Sequence, residues 1–506
     1  MRKQDFALEV QELLKLYAAH PQVTALDTLL KNDTSRNIFL KGLNGSGPAM
    51  TIASLFTKGR GSYVCVLNDQ EEAGYFYHDL MQLTASNEVY FFPSAYRRAI
   101  KYGHVDPANE ILRTEVLSRL QDPDASFVIV TYPDALAERV VAREVLNENT
   151  LKISVGEKLD NMFVSDVLDE YGFEQVDYVY EPGQYALRGS ILDVFSFSNE
   201  FPYRIDFFGD EVETIRTFDV ETQLSKEKLD SIYIVPEMSK NAMDSTSLLG
   251  SLPRNTCIAA RDLAWCKERI GSVWNDDPVV ADEESFADID QMRKKLVRGE
   301  DFLREVLDFR RIHFGVRPMG TADATIHFST QTQPIYHKNF DRVSESFHKY
   351  LDEGYTLYIL SDQEKQANRI RMIFEDRGDN IPFTAVNRTI HEGFADDTLR
   401  ICFFTDHQLF DRFHKFNLKS DKARSGKITL SLKELNQFSQ GDYIVHIDHG
   451  VGQFGGLVRT EVNGKMQEAI KLIYQNNDII FVSIHSLHKL SKYKGKESGE
   501  PPKLSK

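Results

Sequence analysis

Short apolar runs alternate with amphipathic stretches along the first part of the chain. Between residues 37 and about 142, four β-branched or aromatic runs are bounded by turn residues: NIFLKG, SYVCVLN, NEVYFF and SFVIVTY. Between them lie stretches of helical period such as EEAGYFYHDLMQL. Strands that alternate with helices are typical of βαβ units. The pattern therefore predicts a parallel sheet covered by helices.

The period changes to two from about residue 151, in YVYEPGQYALRGSILDVFSF and YRIDFFGDEVETIRTFD. This alternation predicts a small α+β unit inserted into the first domain. A further strand-then-helix series predicts a second α/β domain at residues 325–412. Four short strands follow, and turns at Asn463-Gly464 and Asn476-Asn477 join the last three of them. Such turns favour hairpins, so the end of the chain is predicted to be a small β-barrel.

Length and charge limit the possible functions. A chain of 506 residues predicts about three to five domains. The net charge of −16 disfavours DNA binding by the whole surface. There is no apolar run long enough to span a membrane, and the charged, amphipathic N-terminus is not a signal peptide. Four widely spaced cysteines predict buried thiols in a reducing cytoplasm.

The stretch GLNGSGPAM resembles the start of a phosphate-binding loop. Gly42, Gly45 and Gly47 follow an apolar run and precede a predicted helix. A working loop needs a lysine for the phosphates and a hydroxyl for magnesium. Here Pro48 and Ala49 stand in those places. The loop is thus predicted to bind neither ATP nor magnesium, and the residues alone fit a plain strand-to-helix turn equally well.

Longer motifs carry a family resemblance. SYVCVLNDQEEAGYFYHDL, FFPSAY and VIVTYPDAL resemble the first domain of the excision-repair protein UvrB. EPGQYALRGSILDVFSF and PYRIDFFGDEVETIRTFDVETQLS closely resemble the transcription-repair coupling factor (Mfd) family. VHIDHGVGQFGGL resembles the RNA polymerase interaction domain of the same family, which is related to CarD. Together these motifs extend the resemblance to nearly the whole chain.

The resemblance implies an α/β multidomain fold. A UvrB-like module, in which an α+β domain is inserted into a degenerate RecA-like α/β domain, is followed by a second α/β domain and a small C-terminal β-barrel of SH3/Tudor type. The expected boundaries are 1–120 and 211–320 for the two parts of the first domain, 121–210 for the inserted domain, 325–412 for the second α/β domain, 413–437 for a basic linker, 438–495 for the polymerase interaction domain and 496–506 for a linker towards an absent motor.

The resemblance also implies two partners. UvrA is expected to contact Arg188, Arg204 and Asp206, although Ala186 stands where UvrB has another arginine. From the residues alone, Arg188 and Asp206 could instead pair with each other. The RNA polymerase β subunit is expected to contact one strand, at Val458, Arg459, Thr460, Glu461 and Val462. Thr460 replaces a residue that is apolar in other members.

The chain is expected to be an adaptor without catalytic residues. The family resemblance places an ATP- and magnesium-dependent DNA translocase, which also makes most contacts to double-stranded DNA, beyond Lys506. The segment from Pro93 to Glu110 is too short for the DNA-probing hairpin of UvrB. Two other functions remain open at this point: a UvrB-like damage-processing ATPase and a CarD-like transcription regulator.

A histidine pair and a basic segment are two further candidates for binding sites. His446 and His449 precede a glycine turn, but they lack a third ligand at a convincing spacing, so no metal site is predicted. A basic segment is interpreted as a solvated tether, with DNA or polymerase contact as the alternative; its residues are Arg412, Lys415, Lys419, Lys422, Arg424, Lys427 and Lys433.

Overall fold

The computed structural model divides the chain into two compact units, Met1–Val145 with Asn241–Leu418, and Leu146–Lys240 with Lys419–Lys506. The residues that it describes are 9–32, 35–59, 61–84, 86, 88–96, 107–122, 125–142, 145–146, 150–197, 199, 201–220, 222–235, 245–275, 293–334, 336–412, 439–446, 449–462, 465–475, 478–483 and 490–492. Strands are numbered β1 to β27 and helices α1 to α13 along the described parts of the chain.

The first unit contains a seven-stranded, wholly parallel sheet in the order β17-β1-β16-β15-β2-β4-β3. Its strands are β1 (Asn37–Lys41), β2 (Tyr63–Val66), β3 (Val89–Phe92), β4 (Val128–Thr131), β15 (Cys257–Ala260), β16 (Arg310–His313) and β17 (Ala324–His327). All residues of β2, β3, β4 and β15 are buried, as expected for a parallel sheet covered on both faces. The parallel sheet predicted from the apolar runs is confirmed.

Helices surround this sheet and form with it the first lobe of the unit. They are α1 (Val10–Ala18), α2 (Pro21–Asn32), α3 (Gly47–Thr57), α4 (Gln70–Thr84), α5 (Pro107–Arg119), α6 (Pro133–Leu136), α8 (Leu248–Ser251), α9 (Leu263–Asn275) and α10 (Gly299–Val306). A short antiparallel ladder of β5 (Val140–Val141) and β14 (Ser245–Thr246) lies where the chain leaves the lobe and returns to it.

A mixed five-stranded sheet in the order β18-β21-β22-β19-β20 forms the second lobe of the same unit. Its elements are β18 (Thr330–Thr332), α11 (Phe340–Asp352), β19 (Thr356–Leu360), α12 (Glu364–Asp376), β20 (Thr384–Val386), β21 (Phe394–Asp396), β22 (Ile401–Thr405) and α13 (Asp406–Leu409). The predicted second α/β domain began at residue 325, but β17 pairs with β1 in the first lobe. The second lobe therefore starts after that strand.

The inserted domain belongs to the second unit. A six-stranded sheet in the order β12-β11-β10-β9-β8-β7 packs on one helix and on a two-stranded ladder of β6 and β13. The elements are β6 (Leu151–Ser154), α7 (Asn161–Glu170), β7 (Glu174–Gln175), β8 (Gln184–Arg188), β9 (Ile191–Val194), β10 (Tyr203–Phe208), β11 (Glu211–Phe218), β12 (Ser225–Leu229) and β13 (Ser231–Ile234).

The limits of this inserted domain differ from the expected 121–210. Residues Val128–Thr131 form an inner strand of the parallel sheet, whereas Ser225–Leu229 and Ser231–Ile234 belong to the inserted sheets. Buried Ile232 and Ile234 join the same hydrophobic core as Tyr185 and Ile205. Packing thus places the inserted domain later in the chain.

The last described segment is an antiparallel sheet in the order β26-β25-β24-β23-β27. Its strands are β23 (Tyr443–His446), β24 (Gly450–Val462), β25 (Lys465–Ile473), β26 (Ile479–Ser483) and β27 (Leu490–Lys492). Its core contains Ile444, Phe454, Ile470, Leu472 and Tyr474. In the described residues β26 and β27 do not pair, so closure into an SH3/Tudor-like barrel stays a prediction.

Several sequence predictions concern residues outside the described ranges: both asparagine turns, the linkers 413–437 and 496–506, and residues 97–106 of the segment from Pro93 to Glu110. No helix in the described ranges has the length and apolarity to cross a membrane. The four cysteines are buried, as predicted.

Candidate partner-binding surfaces and the glycine loop

The glycine loop, Gly42–Ala49, joins β1 to α3. Gly42 and Gly45 adopt φ angles of +87° and +53°, which glycine adopts far more readily than other residues. Pro48 occupies the first turn of α3, where its missing N–H removes no helical hydrogen bond. Gly47, Pro48 and Ala49 are all buried. The sequence therefore predicted this strand-to-helix turn correctly.

The arginine face lies on the inserted sheet and consists of Arg188, Asp193, Arg204, Asp206 and Arg216. Strand register aligns Asp193 of β9 with Ala186 on one side and with Arg204 on the other. Arg204 in turn lies opposite Arg216 of β11. Residues opposite one another across adjacent strands share a face of the sheet. The register thus gathers three arginines and two aspartates from four strands.

Asp193 holds two of these arginines. Arg204 donates to it from Nε at 2.6 Å and from Nη2 at 2.8 Å, and Arg188 donates to the same carboxylate from Nη2. The Asp193 side chain is only 1% exposed, whereas that of Arg188 is 34% exposed. The hydrogen bond to Asp193 raises the pKa of the Arg204 guanidinium above its ordinary value. A buried carboxylate therefore fixes both guanidinium groups in place.

Asp206 has a different partner from the one that sequence reasoning offered. It accepts hydrogen bonds from Arg216 and, at 2.7 Å, from the hydroxyl of Thr214. The alternative in which Arg188 pairs directly with Asp206 is wrong, because their partners are Asp193 and Arg216. Sequence reasoning missed Asp193, although an acidic residue inside the apolar run ILDVF already implied a buried partner.

An exposed aromatic residue ends the strand that carries Arg204 and Asp206. Phe208 is 79% exposed, and its neighbour Phe207 is buried in the core of the domain. The inward position of Phe207 fits the period of two, and the strand register shifts between Asp206 and Phe207. Sequence analysis did not single out Phe208. Its signal was the doubled phenylalanine before a glycine turn, since alternation allows only one of two such neighbours to face the core.

Strand β24 contains all five residues expected to contact the polymerase. We call it the edge strand, because β23 covers only its first residues. β23 pairs with it only along Gly450–Gln453, while β25 pairs with it as far as Val462. From Leu457 to Val462, one edge of β24 has no partner strand in the described part of the chain. The side chains of Arg459, Thr460, Glu461 and Val462 lie outside what the structure describes, so their placement rests on backbone register.

Backbone direction along this strand follows from Phe454. Its N–H donates to Asp442 O at 2.8 Å and its carbonyl accepts from Gly441 N–H at 2.9 Å, so its peptide points away from β25. Its partner on β25 is Leu472. Every second residue of β25 has its N–H and C=O on the same side as Leu472, and the residues at positions 470, 468 and 466 pair with Leu457, Arg459 and Glu461. Because peptide directions alternate along a strand, these three residues present their N–H and C=O groups at the open edge.

The two histidines before β24 do not assemble a metal site with other described side chains. His446 is buried and His449 is exposed, and their ring centroids are 4.7 Å apart. Within the described ranges, no three histidine, cysteine, aspartate or glutamate residues are grouped as metal ligands would be.

In comparison with known proteins, the two surfaces lie in segments that match two different family models. Residues 151–239 match the family model described as the UvrB interaction domain, and residues 438–494 match that of the CarD-like/TRCF RID domain. The transcription-repair-coupling factor of Bacillus subtilis (strain 168) is 23% identical over 92% of this chain and 46% of its own length. Those of Staphylococcus aureus strains bovine RF122 / ET3-1 and Mu50 / ATCC 700699 are each 24% identical over 96% of the chain and 48% of their own length.

The resemblance to the transcription-repair-coupling factor family is confirmed. The chain spans about half the length of the curated relatives that it matches. The UvrB interaction match contains the whole arginine face and Phe208, and the match to the coupling-factor RID domain contains the edge strand. The first of these matches also begins and ends later than the expected 121–210, in agreement with the packing of the inserted sheets.

Proposed function

We propose that this chain is an adaptor in transcription-coupled DNA repair. It binds UvrA through the arginine face and Phe208, and it binds the β subunit of RNA polymerase through the edge strand. The observation that supports this best is that each of the two matched domains presents one separate surface suited to a protein partner. The relatives are named transcription-repair-coupling factors, which fits a protein that joins the two processes.

The arginine face supports binding to an acidic partner surface. Asp193 neutralises part of the positive charge and holds the Arg188 and Arg204 side chains in one geometry. Side chains fixed before binding lose less conformational entropy when a partner arrives. Phe208 adds an exposed aromatic residue, the type that contributes most to binding energy when a partner covers it.

The edge strand supports binding by strand addition. An open strand edge offers backbone donors and acceptors to an extended segment of a partner, and alternate side chains then give specificity. The peptide groups of Leu457, Arg459 and Glu461 point to this edge. We propose that a strand of the polymerase β subunit pairs there.

The proposed adaptor carries out no reaction by itself. ATP hydrolysis with magnesium and most contacts to double-stranded DNA belong, in this proposal, to a translocase motor of the whole protein, which acts in the cytoplasm. The glycine loop lacks the lysine and the hydroxyl that such chemistry requires. Titration of the chain with UvrA and with the β subunit, separately and together, tests the adaptor role. We expect saturable 1:1 binding of both partners at once.

Charge reversal at Arg188 gives the matched test of the first surface. Arg188→Glu is expected to abolish UvrA binding and to leave β-subunit binding unchanged. Because Arg188 contacts the buried Asp193 carboxylate, the reversal also lowers stability, so Arg188→Gln is measured beside it. If the unsubstituted chain binds the polymerase but not UvrA, a CarD-like transcription regulator is indicated instead. Undiminished UvrA binding by both variants would remove the arginine face from the proposal.

A further inference from the structure

The glycine loop is bonded to the second lobe through Ser46. The Ser46 N–H donates to the carbonyl oxygen of Glu392 at 3.0 Å, and the Glu392 N–H donates to the Ser46 hydroxyl oxygen at 3.0 Å. The two residues are 346 positions apart in sequence. Backbone N–H groups of such loops are the donors that cradle phosphates in nucleotide-binding proteins. Here a carbonyl oxygen of the protein accepts one of these hydrogen bonds.

A second pair of residues repeats this arrangement on the other side of the loop. Asn44 donates to Thr330, from its N–H to the hydroxyl oxygen at 2.8 Å and from its side-chain amide to the carbonyl at 2.7 Å. The hydroxyl of Thr330 in turn donates to the carbonyl of Gly42 at 2.8 Å. Thr330 begins β18 of the second lobe, so both sides of the loop are bonded to that lobe.

The contact is close enough to require glycine. A Cβ atom on Gly45 would lie 2.9 Å from the carbonyl oxygen of Gly393 and 3.0 Å from that of Glu392. Such distances are shorter than normal van der Waals contact, so any side chain there would push against the backbone of the second lobe. The loop therefore has a glycine at the place where the backbone of the second lobe approaches it.

Asp79 of α4 bonds to both the glycine loop and the second lobe. This buried carboxyl group accepts hydrogen bonds from the Ser46 hydroxyl at 2.5 Å and from the His391 N–H at 2.7 Å. The His391 ring stacks on Tyr75 with 3.6 Å between centroids. Two further buried contacts join the lobes nearby: His20 with Asp396 at 3.2 Å, and the edge of Tyr17 against Phe394.

We propose that the glycine loop and Asp79 form a socket that holds the turn 391–394 of the second lobe at the place where a phosphate loop would hold its nucleotide. The loop is thus an intramolecular docking site rather than an inactive remnant. The loop donates hydrogen bonds to backbone carbonyl groups of the second lobe, and Asp79 accepts one from the N–H at the start of the turn. Docking of the second lobe keeps the two lobes in a fixed arrangement and occupies the loop.

The ionisation of Asp79 is linked to this docking. Burial raises the pKa of its carboxyl group to about 7, although the hydrogen bonds from Ser46 and His391 lower it; the charge of Glu392 adds a smaller upward effect. The groups that act on it are Ser46 from the loop and His391 and Glu392 from the turn, and His78 precedes it on its own helix. Burial lowers the pKa of His78. It lowers that of His407, which bonds to the His391 carbonyl, to about 4.

The sign of the pH effect follows from the raised pKa. An undocked, solvated Asp79 regains an ordinary pKa near 4 and ionises first, so ionisation favours the undocked state. Docking is strongest below about pH 4 and weakens as the pH rises to about 7. Above that value both states are ionised and no further loss is expected.

Residue-resolved hydrogen exchange of the intact chain tests the socket. The His391 and Glu392 amides bond across the contact, whereas the Gly393 amide bonds to Gln408 within its own lobe and serves as an internal reference. Relative to that reference, we expect protection of the first two amides to fall about tenfold or more from pH 5 to pH 7. Asp79→Asn should remove this pH dependence, and Glu138→Gln, a buried carboxyl change elsewhere in the first lobe, should not.

A pair of glycine variants tests the contact without touching a carboxyl group. Gly45→Ala and Gly59→Ala impose similar backbone strain, with φ angles of +53° and +68°, but a Cβ on Gly59 meets nothing within 4 Å. Only Gly45→Ala should lower protection of His391 and Glu392, by about tenfold. Equal protection in both glycine variants, or an unchanged pH dependence in Asp79→Asn, would overturn the socket.

Discussion

Arg204 donates two hydrogen bonds to the buried carboxylate of Asp193, at 2.6 and 2.8 Å. The Cζ atom of its guanidinium lies 4.2 Å from the centroid of the Phe218 ring. The same carboxylate also accepts a hydrogen bond from Arg188. An acidic residue inside the sheet therefore determines the geometry of the cationic groups at its surface. We therefore expect Asp193 to affect both the stability of the inserted domain and the presentation of the arginine face.

The first prediction concerns stability. Asp193→Ala removes the shared acceptor and leaves two guanidinium groups close together without their counter-charge. Removal of one partner of a buried ion pair is strongly destabilising, so the free energy of unfolding should fall by about 3 kcal/mol or more. Urea unfolding followed by a probe in the inserted domain measures this. Glu213→Ala, an exposed change on strand β11 of the same sheet, should stay within about 0.5 kcal/mol of the parent chain.

The second prediction concerns the proposed UvrA surface. Phe208→Ala should weaken UvrA binding by about 30-fold, because an aromatic residue buried by a partner contributes about 2 kcal/mol. The fold should be little affected, since the side chain is 79% exposed. Tyr233→Ala removes a 46% exposed aromatic residue from the two-stranded ladder of the same domain and serves as the control. Equal affinities of the two variants would exclude Phe208 from the contact.

The third prediction uses backbone chemistry at the edge strand. Arg459→Pro removes an N–H that points to the open edge, and proline is tolerated at such positions. Binding of the polymerase β subunit should weaken about tenfold, as expected for the loss of one hydrogen bond. Arg459→Ala removes the same side chain but keeps the N–H, so any additional loss in the proline variant reports main-chain pairing. If the two variants bind alike, strand addition at this residue is wrong.

The fourth prediction concerns the next position on the same strand. Thr460→Arg should abolish binding of the β subunit, because it places a bulky charge on the face expected to pack against the partner. The thermal midpoint should stay nearly unchanged, and UvrA binding should survive. A large fall in the midpoint would instead indicate that this face packs within the domain, and undiminished polymerase binding would count against the assigned strand.

The fifth prediction concerns nucleotides. The chain should neither bind ATP tightly nor hydrolyse it, with or without DNA, because Pro48 and Ala49 supply no charge for the phosphates and no hydroxyl for magnesium. Equilibrium binding of a fluorescent ATP analogue and a phosphate-release assay measure the two activities. Saturable binding at micromolar concentration that is lost on substitution of Gly45 or Gly47 would contradict this expectation.

Local patterns in the sequence were enough to predict several of the strands and the family resemblance. Apolar runs of four or five residues became the buried strands β1 to β4, and period-two alternation became the sheet that carries Arg204 and Asp206. These features depend on neighbours only a few residues away, so periodicity reveals them. The turn at Gly42–Ala49 followed from glycine and proline conformational preferences in the same way.

Tertiary structure alone decided what these elements touch. The sequence assigned Thr325–His327 to the second α/β domain, but pairing with β1 puts these residues in the first sheet. It offered Arg188 and Asp206 as partners, whereas strand register gives them Asp193 and Arg216. It also left the glycine loop without a role, although the loop bonds to Glu392. In each case the deciding contact is a hydrogen bond or a strand pairing between segments that only the fold brings together, and periodicity carries no information about which distant residue arrives there.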